Sequence, residues 1–280
     1  MEFVKLVGPA GVFFIMFALG LNLRLKQLIK VFKYPGNFIT GIISQSLVLP
    51  IIGLITVSLV DMSPELTFGV FLLLIMPSAA MSNYATRLVD GNVSLSICLT
   101  SFCALFSFIT IPLYLNLFSK EIYELPFEIN LFSFSIKTFL FITLPVFIGI
   151  FCITKFTKFF QKQTIFLDKL AFAIFIIVVL IGIYQERGNL VGYFDDVGIV
   201  VIGLLLVIFI TVLIITNIFI EDIESKRAVI IEGLLQNGAM GFVVGTFLFN
   251  DVAYLVPIAL YALLQYAALL FYIGNIKTKG

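Results

Sequence analysis

The sequence predicts an all-α polytopic membrane protein of nine transmembrane helices, built as an inverted repeat with one discontinuous helix in each half. Three observations predict it. Hydrophobic residues make up 61% of the 280 positions and charged residues only 12%, with a mean hydropathy of +1.17; soluble domains carry about 25% charged residues. Apolar runs of about 20 residues, enough to cross the hydrocarbon of a bilayer, recur along the whole chain. Two of those runs are interrupted by polar stretches, Pro77-Ser78-Ala79-Ala80-Met81-Ser82-Asn83 in one half and Glu232-Gly233-Leu234-Leu235-Gln236-Asn237-Gly238 in the other. In hydrocarbon a freed backbone group costs several kcal/mol, so a break persists only where protein, ion or water supplies partners. Spans broken by Pro or Gly at corresponding places in two halves point to the binding site of a secondary transporter.

Composition also excludes. The net charge of +1, with no basic block, argues against a nucleic-acid surface. The chain has no His, which removes His-based triads and His-type zinc sites. Cys98, Cys103 and Cys152 lie in apolar spans without the spacing of a metal site or a disulfide framework, and read as packing residues. The first apolar segment begins almost at Met1 with no small-residue cleavage motif after it, so it is expected to remain as a span. No enzyme activity, cofactor or obligate protein partner is expected.

On the 20-residue scale the spans fall near 3–22, 36–60, 65–89, 92–118, 129–153, 169–186, 194–220, 227–249 and 251–275. The third and eighth contain the two breaks. Corners at Asp90-Gly91-Asn92 and Asn250-Asp251 provide tight helix–helix connections, and the cation-rich stretch 154–168 is left outside any span. One set of span ends carries Arg24, Lys26, Lys30, Lys33, Arg87, Lys155, Lys158, Lys162, Lys169, Lys226, Arg227, Lys277 and Lys279; the other carries only Lys5, Lys120, Lys137 and Arg187. The positive-inside rule places the richer side in the cytoplasm, with the N-terminus outside and the C-terminus inside a cell (inner or plasma) membrane. Dividing the chain after about residue 120 leaves four helices in the first half and five in the second. The third and eighth then run in opposite directions, as an inverted repeat requires.

Glu232 is the one acidic residue placed inside a span. An ionisable group there is a functional hypothesis by default, because insertion scales put its cost at about +2.5–3.5 kcal/mol; the plainer alternative is that it snorkels to nearby Lys226 and Arg227. Ser82, Asn83, Ser96 and Thr100 form a second constellation. Ser96 and Thr100 are four apart and share a helix face, and the Asp90-Gly91-Asn92 turn folds them back beside Ser82 and Asn83. Their neutral oxygens with the Glu232 carboxylate suit a hard cation; singly, each would serve as interhelical glue at about 0.6 kcal/mol. Gln45, in the second span, gains meaning if it reaches Gln236 and the carbonyls of Gly233 and Leu235, which would form a second oxygen cage sharing Glu232. Pro77, Gly233 and Gly238 are the expected helix breakers.

The runs FALGLNLRLKQL, PSAAMSN, DGNVSLSICLTS and EGLLQNGAM, in this order over about residues 8–270, resemble the bile acid:sodium symporter family and its bacterial members. The resemblance implies a core of helices two to four and seven to nine (about 36–118 and 194–275), containing two crossed, discontinuous helices, and a panel of helices one, five and six (about 3–22 and 129–186). It implies two sodium ions: one held by Ser82, Asn83, Ser96, Thr100 and Glu232, the other by Gln45, Glu232, Gln236, Gly233 and Leu235. Asn237 matches the family's Asn at the second crossing, and Ala80, Met81 and Gly238 fall beside it in the substrate region. The family's first break is often Gly/Thr-rich; here Ser78, Ala79, Ala80 and Met81 occupy it. Half-helix N-termini at the crossings present positive dipole ends that suit a carboxylate or sulfate, so the expected cargo is a small organic anion carried with sodium by alternating access. Rival readings are a proton-coupled or uncoupled carrier, an efflux carrier on a related fold, and a non-transporting membrane receptor or scaffold.

Overall fold

A computed structural model of the chain describes residues 2–23, 35–121, 130–185, 192, 194–249 and 251–277. The described residues fold into helices joined by short turns. In chain order these are α1 (Glu2–Asn22), α2 (Pro35–Leu59), α3 (Pro64–Leu74), α4 (Met81–Leu88), α5 (Val93–Glu121), α6 (Leu131–Lys155), α7 (Thr157–Gln185), α8 (Ile199–Phe219), α9 (Ile223–Leu234), α10 (Gly238–Leu248) and α11 (Val256–Lys277). Five stretches among the described residues are long and apolar enough to cross a membrane: Pro35–Leu59, Val93–Leu117, Phe132–Lys155, Ile199–Phe219 and Ala253–Ile276. Pro9–Asn22, Pro64–Leu74 and Gly238–Leu248 are shorter apolar helices. The side chains left exposed on the long helices are Ile55, Leu113, Phe151, Ile210 and Leu263 and others like them, an outer surface made for lipid rather than water.

The helix that carries the sixth predicted span is longer than the span. It starts at Thr157, directly after Lys155 and Phe156, and the cation-rich stretch 157–168 is part of α7. No Pro or Gly interrupts that stretch; its charges exclude it from a bilayer core without preventing a helix. Of the residues used to assign orientation and corners, Arg24, Lys26, Lys30, Lys33, Arg187, Asn250 and Lys279 lie outside the described residues.

α1 packs along α6 and α7. Its crossing with α6 is close enough that a Cβ on Gly20 would meet the Val146 carbonyl at 2.2 Å, and one on Gly149 the Phe17 carbonyl at 2.3 Å. Only glycine permits this approach at both positions. The remaining helices pack among themselves, with α9 against α5, α4 and α8, and α11 against α3 and α8. The corner after α4 is closed by Gly91 N–H on the Thr86 carbonyl (2.8 Å) and Asp90 N–H on that of Arg87 (3.2 Å), a Schellman motif with Asp90 at φ 51°. It is stitched to α9 by Asn92 N–H on the Glu224 carbonyl (2.9 Å) and by Arg227 on that of Val89 (2.8 Å).

Two long helices, α2 and α6, each contain one widened turn of π geometry, Ser44–Val48 and Phe139–Thr143. Each precedes a proline by two residues, Pro50 and Pro145. A proline inside a helix offers no N–H and crowds the carbonyl four residues back; widening the preceding turn relieves the clash. Both turns lie against α5.

Candidate functional site

The two breaks meet. α3 ends at Leu74 and the chain runs extended through Pro77–Ala79 before α4; α9 ends at Leu234 and runs extended through Leu235–Asn237 before α10. The extended pieces cross antiparallel at Ser78 and Gln236. Ala79 N–H donates to the Leu235 carbonyl (2.8 Å) and Asn237 N–H to the Pro77 carbonyl (2.9 Å), so backbone released by one break is paired by the other. Gly233, expected as a breaker, lies inside α9 instead. Its missing side chain admits α8, since a Cβ there would meet Val212 Cγ2 at 2.7 Å. Pro77 sits in the first extended piece and Gly238 opens α10, whose first turn Asn237 caps by accepting from Met240 N–H (3.0 Å).

Above Glu232 the crossing carries a cluster of hydroxyls. The carboxylate is 2% exposed and is the one charged side chain buried among the described residues. It accepts from Ser78, Ser82, Ser96 and Thr100, the last at 2.8 and 3.0 Å to its two oxygens. Asn83 stands one step back, its Oδ1 2.9 Å from Ser96 Oγ. Lys226 bonds Asn217 and Arg227 bonds the Val89 carbonyl, so the snorkelling alternative for Glu232 is not realised. Neutral hydroxyls alone leave a buried carboxylate's charge uncompensated, which costs several kcal/mol. The site therefore calls for a cation or a proton.

The second constellation also assembles. The Gln45 amide, 5% exposed, lies 3.2 Å from the Gln236 side-chain oxygen, while Gln236 Nε2 donates to the Gly233 carbonyl (2.9 Å). Turned about its Cγ–Cδ bond, the Gln45 amide donates to the Glu232 backbone carbonyl (3.2 Å) and accepts from Ser78 N–H (3.1 Å). The Gln45 and Gln236 side chains stay 3.2 Å apart in either orientation of the Gln45 amide. The Leu235 carbonyl carries the crossing bond, and its second lone pair remains available.

A cavity of about 640 Å³ opens on the other side of the crossing. Ala79, Ala80, Met81, Asn83, Gln236, Asn237 and Gly238 line it. Among the described residues, its charged lining residues are Arg87 and Lys169, both cationic. Ser78, grouped by sequence with the substrate region, points into the hydroxyl cluster instead. Sequence reasoning placed α11 but missed its part in the site: Tyr261 donates to the Leu234 carbonyl (3.1 Å), and Gln265 Oε1 accepts from Gln236 N–H (2.9 Å). Two polar side chains four apart in an apolar span were the available signal.

The profile of the sodium bile acid symporter family matches residues 9–193. The chain belongs to that family. The match takes in Gln45, Ser82, Asn83, Ser96 and Thr100, and the crossing brings Glu232 and Gln236 to them. Among relatives of this symporter-family chain, the uncharacterized sodium-dependent transporter YocS of Bacillus subtilis is 31% identical over 107 residues, 38% of this chain and 33% of the relative. The probable sodium/metabolite cotransporter BASS6 of Arabidopsis thaliana chloroplasts is 38% identical over 93 residues, 31% and 23% of the two chains. The human ileal sodium/bile acid cotransporter is 27% identical over 106 residues, 38% and 30%. The alignments thus span about a quarter to a third of these relatives' lengths. The family is one of symporters and not of enzymes.

Proposed function

We propose that this chain is a sodium-coupled symporter of a small organic anion, working by alternating access. The observation that carries the reading is the buried Glu232 carboxylate among hydroxyls of Ser78, Ser82, Ser96 and Thr100 at the crossing of two broken helices. One sodium ion would take its oxygens from Glu232, Ser82, Ser96 and Thr100, with Asn83 entering from the second rank. A second would lie between the amide oxygens of Gln45 and Gln236, near the carbonyls of Gly233 and Leu235. Neutralising Glu232 and drawing both breaks onto shared ions completes the floor of the cavity, where the N-terminal ends of α4 and α10 face the cargo.

An anion is favoured because the charged residues lining the cavity are Arg87 and Lys169. Its apolar walls, including Ile15, Met81, Ile97 and Tyr266, suit a cargo with a hydrocarbon body. α1, α6 and α7 would form the panel and the remaining helices the core that moves against it, within nine spans with the N-terminus outside. Arg87 and Lys169 sit on the cation-rich side, so the cavity in this conformation opens to the cytoplasm. Inward sodium movement adds about 2.3 kcal/mol per charge per 100 mV. The names of the relatives, sodium-dependent transporter and sodium/metabolite cotransporter, agree with this reading.

The test needs no cargo. Thermal unfolding of detergent-purified protein is followed against sodium, with potassium and choline at equal ionic strength as controls. A ligand at 100 times its Kd stabilises the native state by about 2.7 kcal/mol, and each kcal/mol moves Tm by about 2–4 °C in a chain of this size. A sodium-specific rise that Glu232→Ala abolishes is the expected result. A Tm indifferent to sodium but responsive to pH would replace sodium with a proton at Glu232.

A further inference from the structure

Gln45 reaches the crossing from an unusual stretch of α2. Ile39, Ile43, Leu47, Ile51, Ile55 and Leu59 are all exposed at strict four-residue spacing. In an uninterrupted α-helix such a stripe would drift by about 40° per step. The π turn at Ser44–Val48, where Leu49 N–H bonds the Ser44 carbonyl, takes up part of that drift in one place, and Gln45 within it is buried. The turn has a cost. Pro50 has no N–H for the Ser46 carbonyl, its α-helical partner four residues back.

Tyr114 of α5 supplies that missing bond: its hydroxyl donates to the Ser46 carbonyl. Ser46 Oγ meets Cys103 Sγ at 3.7 Å one surface further along α5, so the same residue of α2 is held at backbone and side chain by one helix. Gln45, Ser46, Cys103 and Tyr114 all line a second cavity of about 210 Å³. The bond is therefore made beside open space, and close packing does not force it.

We propose that Tyr114 is a positioning residue for the second cation: by occupying the carbonyl that Pro50 leaves free, it holds the π turn that aims the Gln45 amide at Gln236. This rests on the two-ion reading above. Removing the hydroxyl takes the Tyr114 bond from the Ser46 carbonyl, and the turn can then repack without presenting Gln45. Restoring a backbone donor with Pro50→Ala makes Tyr114 redundant.

The experiment is a sodium titration of Tm for wild type, Tyr114→Phe, Pro50→Ala and the double variant, with hydrogen exchange across residues 44–52 in sodium-free buffer. The sodium concentration at half-maximal stabilisation is expected to rise about three- to tenfold in Tyr114→Phe, the scale of one net hydrogen bond, while exchange at 44–52 speeds up. In the Pro50→Ala background, Tyr114→Phe is expected to shift the sodium midpoint no further. A purely structural tyrosine would lower Tm at all sodium concentrations without moving the midpoint, and that result overturns the proposal. An equal midpoint shift in both backgrounds also overturns it, because Tyr114 would then act without Ser46. If wild-type Tm ignores sodium, the sodium reading itself fails; unchanged exchange at 44–52 in Tyr114→Phe marks the separate failure of the positioning role.

Discussion

Ser78 shows how much depends on a single side chain's direction. In extended backbone, successive side chains point to opposite faces, so while Ala79 turns to the cavity, Ser78 turns to the Glu232 carboxylate. It contributes one of the four hydroxyl donors there. Ser78→Ala is expected to raise the sodium needed for half-maximal thermal stabilisation by about tenfold, as loss of a hydrogen bond to a charged group implies; a sodium titration of Tm checks it. Glu232 was legible in the sequence because an acid in an apolar span has little reason to be there except function. Ser82, Asn83, Ser96 and Thr100 were legible through helix spacing and a tight turn. Ser78 was not, because the residue-by-residue alternation that separates it from Ala79 exists only once the helix has broken. Arg87 and Lys169 were read for orientation, and their shared place on the cavity wall depends on how α4 and α7 approach.

Among elements, α11 does more than its uniform hydrophobicity suggests. Tyr261 and Gln265 hold Leu234 and Gln236, on either side of the second break. Tyr261→Phe leaves the buried Leu234 carbonyl with one partner fewer and is expected to lower stability by about 1 kcal/mol, read as a Tm about 2–4 °C lower by differential scanning fluorimetry. Helix existence was readable from apolar run length, and both breaks from their polar composition. The early start of α7 was not, because a hydropathy window reports fitness for lipid and says nothing of a helix that continues beyond it. The π turns left a trace in Pro50 and Pro145, yet a proline in a span fits a kink as well as a widened turn. Which one forms depends on whether a neighbour such as Tyr114 can serve the stranded carbonyl.

At the scale of the whole molecule, the distribution of Lys and Arg along the sequence predicts the side of the membrane on which Arg87 and Lys169, both lining the cavity, lie. A cysteine placed at exposed Lys158 on the α7 side is expected to stay unlabelled by a membrane-impermeant maleimide in intact cells and to label after permeabilisation. The wild-type chain, with Cys98, Cys103 and Cys152, supplies the background signal. Labelling in intact cells would reverse the orientation. The sequence carried the membrane class and the pairing of the breaks, since both rest on composition and order. It could not carry the close contact at Gly20 and Gly149, because two glycines in separate spans announce nothing until the helices are beside each other.

The crossing also has a consequence for biogenesis. Ser78 and its carboxylate partner are 154 positions apart, and the Ala79 N–H and the Pro77 carbonyl find their mates at Leu235 and Asn237. During synthesis the first break enters the membrane long before its complement leaves the ribosome. Until then its open N–H and C=O groups must be sheltered by water, by the insertion machinery or by neighbouring helices. The carboxylate and hydroxyl cluster at the crossing is thus among the last features to form, and a chain truncated before α9 would keep an unpaired break in hydrocarbon.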